Sequence, residues 1–553
     1  MTEVHQATAA FAEALRRGGV DLVVAFPGSP TTALALMLER EGPRLGIEFR
    51  WAVNENVALS LAFGAAMGGR GAAALMKHVG INVAADALQA MGVVHGLAAP
   101  CLLIEGADAR PGSSQSAQDN RGLFAGSPQL LVLAPTTVAE IDEQVSRACA
   151  ISAGAGMLVV IRGDARCFSA AGPLAEPTEQ AEPDRFVPWP ARGRALATSA
   201  RTYASHLDDR ARVLARLEPW IDAQVFDWTP DGDEPLELAV VVAAHLGAEI
   251  GEAARLRGLP GLHLTCEHPL PRAPLLALAR RARRLLVLEE CSPWLETQLA
   301  ALIQRSTLTP GPELIGRADL GDRRSVGRLS GEPLHAVLDR AAALAGVSAE
   351  TTMSERRPPQ PDPIALLRGF ATEQHAADAE LDRRHPASGF PTSDPRRELF
   401  AALRRLGEHP VFIATDPGIT GVLALADHGC DVKMHMGGAV PMAVGWSRAR
   451  ARERGLAVAV VGDTNLPHSE WLGLIDAVDH GDDVLVIVAD NGGSQMTQDI
   501  VTPRVPVDRA LSALAAMGLR CEHRRLTLEP GDWMSTLATL AAASGPRLLW
   551  LEF

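Results

Sequence analysis

The 553-residue sequence is poor in several features, and each shortage removes a class of protein. It has one tyrosine, and aromatic residues make up 4% of the whole, so it has no basic run interleaved with stacking aromatics to bind nucleic acid. A formal net charge of -14 opposes a phosphate backbone, and the local basic cluster RRARRLL at 280–286 reads as a solvated helix face. No uncharged apolar run reaches the roughly 18 residues of a membrane span. The opening MTEVHQATAAFAEALRRGG lacks a basic segment followed by an apolar one. A cytoplasmic protein with neither nucleic-acid nor membrane partners is therefore expected. The seven cysteines, Cys101, Cys149, Cys167, Cys266, Cys291, Cys430 and Cys521, contain no C-x-x-C pair. Iron–sulfur clusters and structural zinc sites draw on such pairs, so no iron–sulfur cluster is expected in this chain.

What is present describes a globular protein with 47% hydrophobic and 21% charged residues, long enough for about three domains. The stretch HQATAAFAEALRRGG is an amphipathic helix stopped by Gly18-Gly19, DLVVAF a short buried strand, and PGSPTT a turn into the next helix. GAAALMK, APCLLIEGA, LLVLA and GMLVVIR have the length and flanks of buried parallel strands. The same alternation recurs in LELAVVVAA, GLHLTC and RRLLVLEE, and again in the last 160 or so residues. The expected fold is therefore α/β, three domains with parallel sheets, at 1–167, 195–310 and 395–553, joined by Pro-rich or charged linkers at 168–194 and 311–394. The segments from Ala10 and from Glu398 share one order of helix, glycine stop, strand, Pro-Gly turn and helix. Either generic α/β units or a duplicated fold with a cleft between its copies accounts for that likeness.

One stretch carries chemistry. In GDTNLPHSEWLGLIDAVDHGDDVLVIVADNGGSQMTQ, from Gly462 to Gln498, one strand ends in Gly462-Asp463 and the next in Asp490-Asn491. Parallel strands of a βαβ unit end at one sheet edge, so Asp463 and Asn491 can meet although 28 positions apart. A carboxylate, an amide oxygen and a carbonyl of the Gly492-Gly493 turn are three hard donors of the kind Mg²⁺ takes, with phosphates completing its octahedron. Two ordinary turns are the alternative.

G-D, about 28 residues, then N is the thiamine-diphosphate signature, and this version resembles the alpha subunit of indolepyruvate ferredoxin oxidoreductase. That family reads G-D-S-x-x-x-H-[ST]-G and later D-N; Gly462, Asp463, Thr464, His468, Ser469 and Asp490-Asn491 stand at those places. Further likeness lies in FPGSPTT at Phe26, WAVNENVALSLAFGAA at Trp51, MKHVGINVAADAL at Met76, SSQSAQDNR at Ser113 and LLVLEECSPWLETQ in the middle. The resemblance implies a thiamine-diphosphate-binding fold, with a pyrimidine domain, a transketolase C-terminal-like domain and a diphosphate domain. It implies thiamine diphosphate and Mg²⁺ as cofactors.

By that resemblance Glu55 is the carboxylate that holds the pyrimidine N1′ and favours its imino form. His78 and His468 are acid/base candidates. Pro27, Gly28, Met436, Gly437, Gly438, Gly462, Asp463, Thr464, Asn491 and Gly493 would bind cofactor, with Met436 propping its bend and Asp463, Asn491 and Gly493 holding the metal. Ser29, Thr31, His78, Asn82, Gln115 and Asp119 are the substrate-side candidates.

The chain departs from the family in stopping at RLLWLEF, with no cluster-binding tail, and in having no Cys in HPASGFPTSDPRR. Asn465, Leu466 and Pro467 stand where relatives often carry aromatics. Without clusters the enaminol left by decarboxylation is expected to be protonated to an aldehyde or to attack a second carbonyl. The reading from sequence is thus a non-oxidative decarboxylase or carboligase of a 2-oxo acid, plausibly an aryl pyruvate, and a homodimer. The alternatives are an oxidoreductase catalytic subunit with its clusters on a separate chain, or a non-catalytic scaffold.

Overall fold

The computed structural model describes residues 6–553 except 110–115, 127–128, 174–181, 190–195, 198–199, 324–326, 348–352, 385–394, 407–409, 419, 423–428, 454, 499, 504 and 528–530. Three sheets organise it. The first has seven strands in the spatial order Cys266–His268, Leu131–Leu133, Leu158–Gly163, Cys101–Gly106, Gly71–Lys77, Val20–Ala25 and Glu48–Trp51. Every pair is parallel except the outermost, Cys266–His268 on Leu131–Leu133. The middle sheet has five strands, Glu313–Gly316, Arg284–Leu288, Ala239–Val242, Gly261–Leu264 and an antiparallel edge, Val225–Asp227. The third has seven parallel strands, Arg520–Arg525, Pro546–Glu552, Val484–Asp490, Leu456–Gly462, Val411–Thr415, Val432–Lys433 and Leu196–Ala197. The continuous apolar runs of the sequence become strands buried on both faces, as parallel sheets require.

Strand connectivity answers the question left by the self-similarity. In the first sheet, Val20–Ala25 lies between the next two strands of the chain, followed outward by Cys101–Gly106, Leu158–Gly163 and Leu131–Leu133. Val411–Thr415 has the same place in the third sheet, followed by Val484–Asp490, Pro546–Glu552 and Arg520–Arg525. Six strands repeat one topology.

Helices Glu55–Met67 and Ala439–Ala449 pack these two units face to face. The crossing is built on glycine: a Cβ on Gly64 would lie 2.2 Å from the Met442 carbonyl oxygen, and one on Gly445 2.0 Å from that of Leu61. Beside it a buried ion cluster ties strand Glu48–Trp51 to the far unit. Arg50 pairs with Asp476 and, at 2.7 Å, with Asp482, while the Val53 N–H donates to Asp476 at 3.0 Å. The single face shared by the two units brings the loop before each helix to one seam.

The expected boundaries require correction in two places. Leu196–Ala197, expected to open the middle domain, is the edge strand of the third sheet. Two residues are too few to leave a periodic signal. The stretch 311–394, read as linker, holds the edge strand Glu313–Gly316 and the helix Gly331–Ala345, whose Leu334, Val337, Leu338 and Ala341 bury in the middle core. Its Pro and charged flanks conceal a helical period of three and four. Phe370, further along, buries in the core of the first sheet.

Candidate functional site

Glu55 opens the helix Glu55–Met67, whose N-cap Asn54 accepts a hydrogen bond from the Val57 N–H at 2.8 Å. Its carboxyl is buried, which raises its pKa above the usual glutamate value. It lies against Gly80, where a Cβ would come within 2.3 Å of Oε1. The next residue, Asn56, reaches across the seam and donates to the Gly437 carbonyl at 3.4 Å. Glu55 and Met436-Gly437 therefore adjoin one another within a single chain.

At the third sheet's edge, Gly462 and Ala489 are register partners, so Asp463 and Asn491 emerge side by side. One terminal atom of the Asn491 amide lies 3.1 Å from Asp463 Oδ1 and 2.7 Å from the Gly493 carbonyl oxygen. With no cation present it is the amide nitrogen that sits there and donates to both; turning the amide over brings its oxygen to the same point. With a cation, such separations match the edge of about 2.9 Å expected between neighbouring oxygens of an octahedron with Mg–O bonds near 2.05 Å. The donor set thus fits Mg²⁺. Among the described residues no three His, Cys, Asp or Glu side chains gather as a metal site, which an amide-and-carbonyl set like this does not need.

A cavity of about 280 Å³ opens beside these oxygens, lined among others by Asp416, Gly418, Thr420, Lys433, Met436, Gly462, Thr464, Asn491 and Gly493. A separate cavity of about 310 Å³, lined by Leu466, Pro467, Trp471 and Trp550, meets Asp463 and Asn491 from the other side.

Several expected residues take other parts. The loop N–H groups of 437–440 are occupied: Gly437 donates to Asp416 at 3.0 Å, Ala439 to Asp416 at 3.1 Å and to Glu470 at 2.7 Å, and Val440 to Glu470 at 3.1 Å. The helix start that follows Gly437 and Gly438, the glycines expected from the sequence to bind cofactor, thus has its N–H groups engaged by carboxylates of the chain itself. Asp416 and Glu470 are both buried against each other, and both pKa values are raised, first by burial. One proton between them resolves the repulsion.

His78 is likewise corrected. Its ring is fully buried, with Nδ1 3.3 Å from the Gly106 carbonyl oxygen and Nε2 3.1 Å from that of Ser116, so neither nitrogen faces a substrate. Thr31 closes its own turn, donating to the Gly28 carbonyl at 2.6 Å. Asp119 is held by Arg121 at 2.6 Å, and Arg121 also pairs with Glu289 at 2.8 Å, so this carboxylate belongs to an ion network toward the middle sheet. Asn82 is exposed and donates to Gln118 at 2.5 Å. Pro27 and Ser29 are exposed at the end of strand Val20–Ala25. Gln115 lies outside the described residues. His468 is exposed, its Nδ1 hydrogen-bonded to Ser469 Oγ.

Sequence reasoning missed Asp416, Glu470 and Lys433. Asp416 stood in the self-similar Pro-Gly turn, and Glu470 directly follows His468-Ser469, where the family motif has glycine. Lys433 offered only a lone cation closing an apolar strand.

Residues 425–511 match the family described as thiamine pyrophosphate enzyme, C-terminal TPP binding domain, the class of site that this sheet edge resembles. Along most of its length the chain is, more particularly, a relative of indolepyruvate oxidoreductase subunit IorA. The identity is 26% with that of Methanothermobacter thermautotrophicus, over 89% of this chain and 75% of that protein. It is 24% with that of Archaeoglobus fulgidus, over 88% and 74%, and 25% with that of Pyrococcus horikoshii, over 95% and 81%. A solved chain from Mycobacterium smegmatis, provisionally described as thiamin diphosphate-dependent, is 16% identical and covers 99% of both chains with a TM-score of 0.48. That overlap is too slight to bear on the fold, which rests on the sheets themselves. The named relatives overturn the non-oxidative decarboxylase or carboligase expected from the sequence, because each is an oxidoreductase subunit. The missing cysteine pairs misled that reading, since a subunit can rely on another chain for electron transfer. Among the described residues no helix is long and apolar enough to cross a membrane.

Proposed function

We propose that the chain is the catalytic subunit of a thiamine-diphosphate-dependent oxidoreductase that acts on a 2-oxo acid of the aryl pyruvate class and passes electrons to iron–sulfur clusters on a partner chain. The observation that carries this reading is the convergence of the Asp463 carboxylate, the Asn491 amide and the Gly493 carbonyl beside a cavity that reaches Met436. The relatives' names, each an indolepyruvate oxidoreductase subunit, support the substrate class and a partner chain.

Asp463, Asn491 and the Gly493 carbonyl would hold Mg²⁺ on the diphosphate, and Met436 would support the cofactor's bend. Thiamine diphosphate, when bound there, would supply a nucleophilic carbon and an electron sink for a 2-oxo acid. Glu55 would hold a proton at the pyrimidine N1′, and its raised pKa suits a group that must both hold and release one. His468, exposed at the seam, remains the acid/base side chain able to meet the substrate. The chain would pair as a homodimer, each copy supplying both Glu55 and Met436 of its own site.

The test uses the purified chain with thiamine diphosphate, Mg²⁺, indolepyruvate or phenylpyruvate, coenzyme A and a low-potential dye, with and without a cluster-bearing partner. Substrate-dependent dye reduction is expected, stimulated by the partner. Aldehyde released at the same rate with no electron acceptor present would sink the proposal.

A further inference from the structure

Of the 52 lysine and arginine residues, only two are lysines, Lys77 and Lys433. Lys433 ends the short strand Val432–Lys433 and is 8% exposed, yet it has no carboxylate within ion-pair distance among the described residues. Its neighbour Asp416 makes no ion pair with it and is engaged instead by the Gly437 and Ala439 N–H groups. A buried ammonium with no carboxylate in direct contact is costly, and burial lowers its pKa although the more distant Asp416 acts in the opposite sense. Lys433 lines the same 280 Å³ cavity as Asn491 and Gly493, so an anion held there would meet it.

We propose that Lys433 binds the diphosphate of the cofactor as its charge partner in this cavity, completing a two-point grip whose other point is the metal held by Asp463, Asn491 and the Gly493 carbonyl. This rests on the cofactor reading above and adds to it a residue that supplies charge where the occupied helix start at 437–440 cannot. Lysine suits the task as a compact point charge on a flexible stem, whereas the planar guanidinium used elsewhere in the chain needs more room.

The scarcity of lysine permits a direct test on the unaltered protein. Reductive methylation followed by mass spectrometry reads Lys433 and Lys77 separately, with and without Mg²⁺ and inorganic pyrophosphate. Protection of Lys433 with Lys77 unchanged is expected. In calorimetric titration, Lys433→Met should weaken Mg²⁺-pyrophosphate and Mg²⁺-thiamine diphosphate alike by about tenfold to a hundredfold, as for loss of a charge-assisted hydrogen bond. If the variant fails to fold, the protection measurement still decides. Unprotected Lys433, or a folded variant that binds within twofold of wild type, overturns this inference alone. A wild-type chain that binds neither compound overturns both this inference and the proposed function.

Discussion

The first and third sheets repeat six strands in one order, yet their edges are equipped for opposite tasks. After the strand Glu48–Trp51, the first unit places a buried carboxylate, Glu55, with its pKa raised. After the strands Leu456–Gly462 and Val484–Asp490, the third unit places three oxygens able to share one cation, and beside them a buried lysine. In the proposed function one copy would handle a proton and the other would hold charge. Topology supplies the edge, and the residue at each strand end decides its chemistry.

The largest expected effects separate these two tasks. Asp463→Ala should remove a metal ligand and abolish measurable binding of thiamine diphosphate, by at least about a hundredfold, as chelation of Mg²⁺ should in the wild type. Glu55→Gln should leave calorimetric affinity nearly unchanged while turnover falls by about a hundredfold or more, the usual contribution of a positioned proton-transfer group. Equal loss of binding in both variants would erase the division of labour between the copies.

Next in size is the seam. Arg50 is buried with Asp476 and Asp482 around it, and Arg50→Ala leaves both carboxylates without that cation. A loss of about 3 to 5 kcal/mol in urea denaturation is expected, the range for breaking a buried ion pair. Smaller is Gly64→Ala, where the added Cβ meets the Met442 backbone and the helices must part. Overpacking of this kind destabilises by about 1 to 3 kcal/mol. Weaker cofactor binding should accompany it, since the same helices set Asn56 against Gly437.

Most strands were legible in the sequence because buried parallel strands leave uninterrupted apolar runs such as VLVIVAD and CLLIEG. Leu196–Ala197 was not, being two residues long and recruited only by Val432–Lys433. At the site, Asp463 and Asn491 were legible because a βαβ unit converts sequence spacing into contact. Glu470 was not, because its role depends on Asp416, 54 positions earlier, reaching the same helix start. His78 misled for the opposite reason: a histidine within a family-like motif does not reveal that Gly106 and Ser116 carbonyls enclose its ring.

The last effect concerns pH and lies on the first sheet alone. Glu105 is fully buried, 3.1 Å from Arg162, and accepts a hydrogen bond from Asn120 at 2.6 Å. Burial outweighs both partners and pushes its pKa up from 4.5 to about 7. Between those values the folded chain keeps a proton that the unfolded chain has released, so unfolding sheds a proton and stability falls as pH rises through that window. Below 4.5 both states hold the proton, and above about 7 neither does, so this contribution levels off on either side. In Glu105→Gln no proton is exchanged and that slope vanishes. The melting temperature of the wild type relative to the variant should therefore drop between pH 5 and pH 7.5, and a difference that stays constant would show that Arg162 holds Glu105 ionised throughout.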